Sequence, residues 1–163
     1  METPARLTVD LGRLREGRPE RLRGTLDAAL LAIDDLAQLR PAGPLAYDIE
    51  VTLLPGGEAL ARGALRLPCR CVCRRCGRDF DAEFAEEDFC ETLQVEGQNT
   101  WDLTESAREG IILVLPSYPI CGEGCKGVCP HCGKNLNEGP CGCAQGGDGS
   151  PWGALDGWAP QDE

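Results

Sequence analysis

The chain has 163 residues, with 16 Lys and Arg against 27 Asp and Glu, so its formal net charge is −11. This acidic balance excludes a protein that coats bare nucleic acid by charge alone, because phosphate binding needs a broad basic face. No apolar run approaches the roughly 18 residues of a membrane span, and the beginning of the chain lacks the apolar stretch of a secretory signal. We therefore expect a cytoplasmic protein of one ordinary domain with a small appended module, and no membrane partner.

Cysteine is the most informative residue type, with eleven in the chain. Disulfides are rare in a reducing cytoplasm, and an odd number of thiols cannot pair completely. Crowded thiols then indicate metal binding or redox chemistry. The single histidine, His131, stands inside a cysteine cluster, and no pair of base and nucleophile is visible. We predict that the protein is not an enzyme and takes no small-molecule substrate.

The amino-terminal part of the chain predicts a strand and then a helix. RLTVDL at 6–11 alternates apolar and polar residues, as a half-buried strand does, and a polar, Arg-rich connection follows over 12–24. From Thr25 to Leu39, apolar residues recur at helical spacing. This pattern predicts a helix that Thr25 caps and that the PAGP sequence ends.

The middle of the chain predicts an antiparallel meander followed by a helix. Alternating segments over 45–54, 59–73 and 78–95 indicate long strands, the last of them one strand or a strand pair, with turns at PGGE and CRRCG. WDLTESAREGIILVLP at 101–116 has the best helical pattern. Asp102 and Glu105 have the spacing of a capping box, and Pro116 ends the helix.

The cysteines beyond residue 116 predict a zinc site. This part of the chain is rich in glycine and proline and poor in apolar residues, so it cannot build a core of its own. Cys129 and Cys132 enclose a tight turn that brings both sulfurs inward, and zinc takes four soft ligands in a tetrahedron. Cys141 and Cys143 could complete this set.

A second pair, Cys73 and Cys76, encloses the CRRC turn at the predicted hairpin tip. We expect it to join Cys121 and Cys125 in a second tetrahedron, although these two also compete for the carboxyl-terminal site and the CRRC pair could remain without metal. The spacing leaves open which four cysteines share an ion, whether there are one or two sites, and whether iron replaces zinc. The other three cysteines, which are expected to fill strand faces, are Cys69, Cys71 and Cys90.

Charge is unevenly distributed around the CRRC turn. Arg74 and Arg75, with two neighbouring arginines, form a basic tip, whereas ten acids follow between residues 81 and 112. The tip is either a solvated turn or a contact for RNA phosphate, and Arg74 and Arg75 are therefore the candidate partner-binding residues. The acidic stretch serves solubility or docks a basic partner.

The cysteine-rich stretch resembles the signature of the YceD family, also called large ribosomal RNA subunit accumulation proteins. LVLPSYPICGEGCKGVCPHCGKNLNEGPCGC carries the likeness, and CRRCG, IILVLP and PWGALDGW extend it over residues 45–158. The resemblance implies a non-enzymatic role in the accumulation of large-subunit ribosomal RNA, with a large-subunit ribosomal protein or precursor particle as partner. It also implies which cysteines are of the family type: Cys73, Cys76, Cys121, Cys125, Cys129, Cys132, Cys141 and Cys143.

Together these patterns predict an α+β fold, with an antiparallel sheet, one or two packed helices and a C-terminal Cys-rich zinc-binding module. The expected division is a core over 1–116, a zinc module over 117–145 and a flexible tail over 146–163 in which PWGALDGW forms a short docked turn. Two other functions stay open: a metal- or redox-responsive regulator, in which the CRRC thiols oxidise reversibly, and an RNA-binding zinc ribbon that uses the arginine tip.

Overall fold

The structure, a computed structural model, describes residues 6–33 and 38–143. These residues form one α-helix and seven strands, joined by short 3-10 helices at Leu11–Arg13, Ala28–Leu31 and Leu136–Glu138. The elements are β1 (Thr8–Asp10), β2 (Glu20–Leu26), β3 (Leu39–Pro41), β4 (Leu45–Leu54), β5 (Glu58–Val72), β6 (Asp79–Gln94), β7 (Thr100–Asp102) and α1 (Thr104–Val114). An antiparallel sheet with one packed helix agrees with the predicted α+β fold.

Strand β5 organises the main sheet. It pairs with β6 along its whole length, from Glu58 opposite Gln94 to Val72 opposite Asp79. Its other edge is shared by β4 and then β3, and β2 pairs with the outer edge of β4. All these pairings are antiparallel, so the predicted meander over 45–95 is confirmed, and its last segment is a single strand with a register shift opposite Gly63 and Leu65.

The core lies between the sheet and helix α1. Leu103, at the cap position of the helix, and Ala107 and Ile111, within it, are buried. A side chain at Gly110 would lie 3.4 Å from both Leu65 and Phe89, so the helix lies close against the sheet. Beyond the helix, the chain reaches the β5–β6 hairpin tip with its CRRC turn, where the backbone N–H of Arg74 donates to the carbonyl of Pro119.

A small second sheet holds the start of the helix. Strand β1, which the sequence predicts, pairs with β7 through Val9 opposite Trp101. The backbone N–H of Leu103 donates to the carbonyl of Leu7 at 2.8 Å, and the N–H of Leu7 donates to the hydroxyl of Thr104 at 2.9 Å. The amino terminus of the described chain is thereby tied to α1.

The acidic stretch over 81–112 in part neutralises arginines of the neighbouring strand. On the solvent face of the sheet, Arg70 pairs with Asp81 at 3.0 Å and Arg66 with Glu87 at 2.7 Å. Both pairs join β5 to β6 and are about half exposed, so they contribute little to stability. Each pair places opposite charges side by side on the two neighbouring strands, which avoids repulsion between like charges.

The helix predicted over 25–39 is wrong. Strand β2 continues through Thr25 and Leu26, which lie opposite Ala46 and Leu45 of β4. Over the described residues that follow, up to residue 33, the chain forms a 3-10 turn, where Asp27 accepts the backbone N–H of Ala29 at 2.9 Å. Pairing with a long strand and complete burial of Leu26 outweigh helical spacing. The polar connection expected over 12–24 is also in part a strand, and residues 34–37 of the predicted helix lie outside the described residues.

The predicted capping box at the start of α1 is wrong as well. Leu103 occupies the cap position without a side-chain hydrogen bond. Asp102 ends β7, pairs with Arg6 at 3.0 Å and accepts the N–H of Thr104, two residues along the chain. Glu105 pairs instead with Arg108 at 2.8 Å. Because β7 holds Asp102 in extended conformation, the helix begins beyond it.

Two further features of the sequence analysis remain predictions. The expected docked turn at PWGALDGW lies outside the described residues, and the division at residues 116 and 145 stays a prediction. Among the described residues, no helix is long and apolar enough to cross a membrane.

Candidate metal centres

All eleven cysteines are free thiols, and eight of them gather in two groups of four. The first tetrad is Cys73, Cys76, Cys121 and Cys125. The second tetrad is Cys129, Cys132, Cys141 and Cys143. Within each tetrad, all sulfur atoms lie within 4.8 Å of one another. The structure thus brings the candidate ligands together in one of the groupings that spacing alone left open.

The first tetrad has the dimensions of a tetrahedral metal site. The Sγ atoms of Cys73 and Cys125 are 3.8 Å apart, and so are those of Cys76 and Cys121. Four sulfurs at about 2.3 Å from a central zinc ion are separated by about 3.8 Å along each edge of the tetrahedron. A disulfide needs about 2.05 Å between sulfurs. The thiols are therefore spaced for a shared ion rather than for pairwise oxidation.

Two distant parts of the chain supply the first tetrad. The β5–β6 hairpin tip provides Cys73 and Cys76, and the segment after α1 returns to this tip. Its Pro119 carbonyl accepts the backbone N–H of Arg74 at 2.9 Å, and the N–H of Cys121 donates to the sulfur of Cys73 at 3.4 Å. These backbone contacts position the second pair of thiols beside the first.

The second tetrad is formed within the carboxyl-terminal segment itself. Cys129 is only 4% exposed, whereas Cys132 is exposed and Cys141 and Cys143 are half-buried. Over 133–143 no described residue is buried. No apolar core therefore supports this group, and an ion would have to supply the missing cohesion.

The two Cys-x-x-Cys turns have the same backbone design. In the first knuckle, residues 73–78, the N–H of Gly77 donates to the carbonyl of Cys73 at 2.8 Å, and the N–H of Cys73 donates to Arg78 at 2.9 Å. In the second knuckle, residues 129–134, the corresponding bonds from Gly133 and Cys129 measure 2.9 and 2.8 Å. Both glycines have a positive φ, +71° and +72°, which L side chains rarely adopt.

This shared turn prepares one thiolate in each tetrad. Burial opposes ionisation of Cys73, but backbone N–H groups of Cys121, Cys76 and Arg75 lower its pKa to about 6. Backbone N–H groups of Cys132 and His131 likewise lower the pKa of Cys129 to about 6. Such donors stabilise the charged sulfur, which is the form that ligates metals.

Other thiols of the tetrads have raised pKa values. Burial, with the neighbouring thiols, raises the pKa of Cys121 to about 12. The pKa of Cys143 rises to about 12, mainly through its hydrogen bond with Cys132. Four like charges cannot gather without a cation, and each tetrad could hold one positive ion.

Thiolate ligands alone, four in number and closed around one point, fit a structural metal site. A catalytic zinc site keeps one coordination position open for water or substrate, and these tetrads offer none. Tetrahedral sulfur sets favour zinc or iron. Cys73, Cys76, Cys121 and Cys125 would hold one ion and the other four thiols a second, so that the ions cross-link a segment without a core.

The remaining cysteines behave differently from one another. Cys69 and Cys71 point into the core and are 1% and 0% exposed, as expected of strand-face fillers. Burial raises the pKa of Cys69 to about 12. Cys90 is exposed on β6, so the prediction that it fills a strand face is wrong. His131 is exposed and belongs to neither tetrad.

The candidate partner-binding arginines lie on the first knuckle. Arg74 stacks over the ring of Tyr118, with 5.3 Å between guanidinium carbon and ring centre, and Arg75 donates to the carbonyl of Cys125 at 3.4 Å. Neither forms an ion pair with the described residues. Tyr118 is 70% exposed, which leaves a cationic and aromatic ledge facing solvent.

Two functional candidates, Tyr118 and Asn137, were not predicted from the sequence. Tyr118 follows a helix end in the sequence, and nothing there shows that the chain returns to the arginine tip. Asn137 lies between the cysteine pairs of the second tetrad, yet its side-chain N–H donates to Cys125 of the first at 3.4 Å. An asparagine in a loop usually signals only a turn, so neither residue carried a readable signal.

Comparison with known proteins gives one family. Neither the curated proteins nor the solved structures contain a match. Residues 82–157 match the family model described as "Large ribosomal RNA subunit accumulation protein YceD". The matched range includes α1 and six of the tetrad cysteines but begins after the first knuckle, so the likeness over 45–81 stays a prediction. Over residues 82–157, the chain is thus a match to the YceD family, and the resemblance predicted from its sequence is confirmed.

Proposed function

We propose that this chain is a non-enzymatic, cytoplasmic factor of ribosome biogenesis that supports accumulation of large-subunit ribosomal RNA. The family match over 82–157 carries this proposal, since the family description names large ribosomal RNA accumulation and no reaction. The closed thiol tetrads support a structural rather than a catalytic role for the matched segment. The partner would be a large-subunit ribosomal protein or a precursor particle.

Zinc is the proposed ion in both tetrads. The 3.8 Å sulfur separations in the first tetrad support it, because they equal the edge expected for zinc with four thiolates. Elemental analysis of the purified full chain should give two zinc ions per molecule. One ion, or iron in place of zinc, would contradict this part of the proposal without touching the ribosomal role.

The ribosomal role is tested by depletion of the protein in cells, with precursor and mature large-subunit RNA quantified. We expect mature RNA to fall and the wild-type gene to restore it. Cys121→Ser with Cys125→Ser should fail to restore it, since the segment would lose its attachment to the hairpin. Cys90→Ser is the matched control, because Cys90 is exposed and outside both tetrads. Unchanged RNA after depletion would overturn the proposal.

The ledge of Arg74, Arg75 and Tyr118 is the proposed contact surface. Two guanidinium groups without described ion partners and an exposed ring suit a particle that presents phosphates. Arg74→Ala with Arg75→Ala should weaken co-sedimentation with precursor particles, most strongly at low salt. Arg18→Ala with Arg62→Ala removes the same charge elsewhere, so equal weakening by both pairs would contradict a specific surface.

A further inference from the structure

The loop between the cysteine pairs of the second tetrad lies on the first tetrad. Asn137, within the 3-10 helix Leu136–Glu138, uses both ends of its side-chain amide there. Its oxygen accepts the backbone N–H of Lys126 at 2.8 Å, and its nitrogen donates to the sulfur of Cys125 at 3.4 Å. Because the N–H of Lys126 can only donate, the amide oxygen must face it, and the NH₂ group therefore faces the sulfur.

The loop that presents Asn137 is held by hydrogen bonds and by its two ends. Asn135 accepts the backbone N–H of Asn137 at 3.0 Å and its side-chain N–H at 2.8 Å, and the N–H of Leu136 donates to the carbonyl of Gly127 at 2.9 Å. No residue of 133–140 is buried. The ends of the loop adjoin Cys132 and Cys141, which belong to the second tetrad. Order in the loop therefore depends on that tetrad being closed.

We propose that the two metal sites fill cooperatively, with Asn137 as the positioning residue that couples them. This rests on the proposed metal centres. Closing the second tetrad around an ion fixes the loop and holds the Asn137 amide on Cys125. That hydrogen bond withdraws charge from a thiolate in a centre where four thiolates surround one divalent ion, and so strengthens binding at the first tetrad. Thermodynamic linkage makes the effect reciprocal, so an ion in the first tetrad also favours the second.

The chemistry of the contact gives its expected size. Partners that hydrogen-bond to metal ligands without touching the ion change metal affinity by about ten- to a hundredfold. We expect loss of the Asn137 amide to weaken metal binding at the first tetrad by this factor while two ions still bind at saturation. Asn137→Asp keeps the shape of the side chain but replaces the N–H donor by a carboxylate beside a thiolate. At neutral pH it should therefore weaken metal binding at the first tetrad more than Asn137→Ala does.

The test is a chelator competition with zinc on the full chain. Four proteins are compared: wild type, Asn137→Ala, Cys141→Ser with Cys143→Ser, and all three changes together. The emptied second tetrad and Asn137→Ala should each weaken the first tetrad by about ten- to a hundredfold, and the combination should add little, because both remove one interaction. His131→Ala is the control, since its exposed side chain lies in the second knuckle and makes no hydrogen bond with the first tetrad.

The outcomes separate the coupling from the metal centres themselves. If the wild-type chain binds two ions, a first-tetrad affinity that is unchanged in Asn137→Ala would overturn the coupling and leave the zinc sites standing. The same holds if that affinity is unchanged when the second tetrad is emptied. A wild-type chain that binds no zinc would overturn both. Equal weakening by His131→Ala would show a general effect of the second knuckle and would overturn the role of Asn137.

Discussion

The two knuckles share one backbone turn but stand on different supports. The first, at 73–78, closes a hairpin whose strands pair over their whole length, and its thiols Cys73 and Cys76 are 1% and 7% exposed. The second, at 129–134, lies in a segment where no residue of 133–143 is buried, and its Cys132 is exposed. The same turn geometry is therefore supported by a paired hairpin in the first knuckle and would be stabilised by a bound ion in the second. We therefore expect only the second region to depend on an ion for its fold.

Metal removal should distinguish the two regions most strongly. Structural zinc supplies about 10–16 kcal/mol of apparent folding free energy in small modules. A stripped chain should be cut by trypsin after Lys126 and Lys134, whereas Arg66 and Arg70 within β5 stay protected by the sheet. Limited proteolysis with mass spectrometry, before and after chelation, measures this. Equal resistance at both lysines would show that the segment folds without metal.

Core truncation should affect the opposite region. Ile111→Ala removes a fully buried side chain from α1 and should lower the free energy of unfolding of the core by about 2–5 kcal/mol, because it leaves a cavity. Urea unfolding followed by tryptophan fluorescence reports the change, and zinc content should remain at two ions. Leu113→Ala on the same helix is the control, since Leu113 is 84% exposed. A comparable loss in the control would contradict the assigned core.

Acid should weaken metal binding in both regions. At neutral pH, Cys121 and Cys143, with pKa values raised to about 12, hold protons that an incoming ion must displace. Affinity should therefore rise with pH above 6, by about 1.4 kcal/mol per pH unit for each displaced proton. Below pH 6, Cys73 and Cys129 also become protonated, and the fall should steepen. Chelator competition between pH 5 and 9 measures the slope, and a flat profile would contradict thiolate ligation.

Glycine substitutions give the smallest effect and the finest comparison. Gly77 and Gly133 have nearly the same positive φ, and open space surrounds both, so a methyl group adds only conformational strain. This strain costs about 1–2 kcal/mol. Gly77→Ala should lower the stability of the sheet core, whereas Gly133→Ala should lower zinc affinity and leave core unfolding unchanged. Identical consequences from both variants would remove the distinction between the two supports.

Alternation in the sequence predicted the central strands well. Leu45, Ile49 and Val51 stand at alternate positions of the strand pattern and face the core. The turns that precede and follow β5 are short and contain glycine at positive φ. Helical spacing gave a wrong prediction where strand pairing competes with helix formation. Leu26 and Leu31 are both buried, but Leu26 lies in a strand that pairs with β4. A local pattern cannot show that a distant edge is available for pairing, and this is why the first helix was predicted wrongly.

Cysteine spacing and the absence of an apolar core predicted, from the sequence alone, that thiols of the last third of the chain would gather in groups able to hold a metal ion. Only the tertiary structure decided which thiols meet. Helix α1 packs on β5 and β6, and the segment after it returns to the hairpin tip, where Cys121 and Cys125 meet Cys73 and Cys76. Asn137 then lies on Cys125. Spacing determines which sulfurs share a turn, but the packing of distant elements determines which turns share a site.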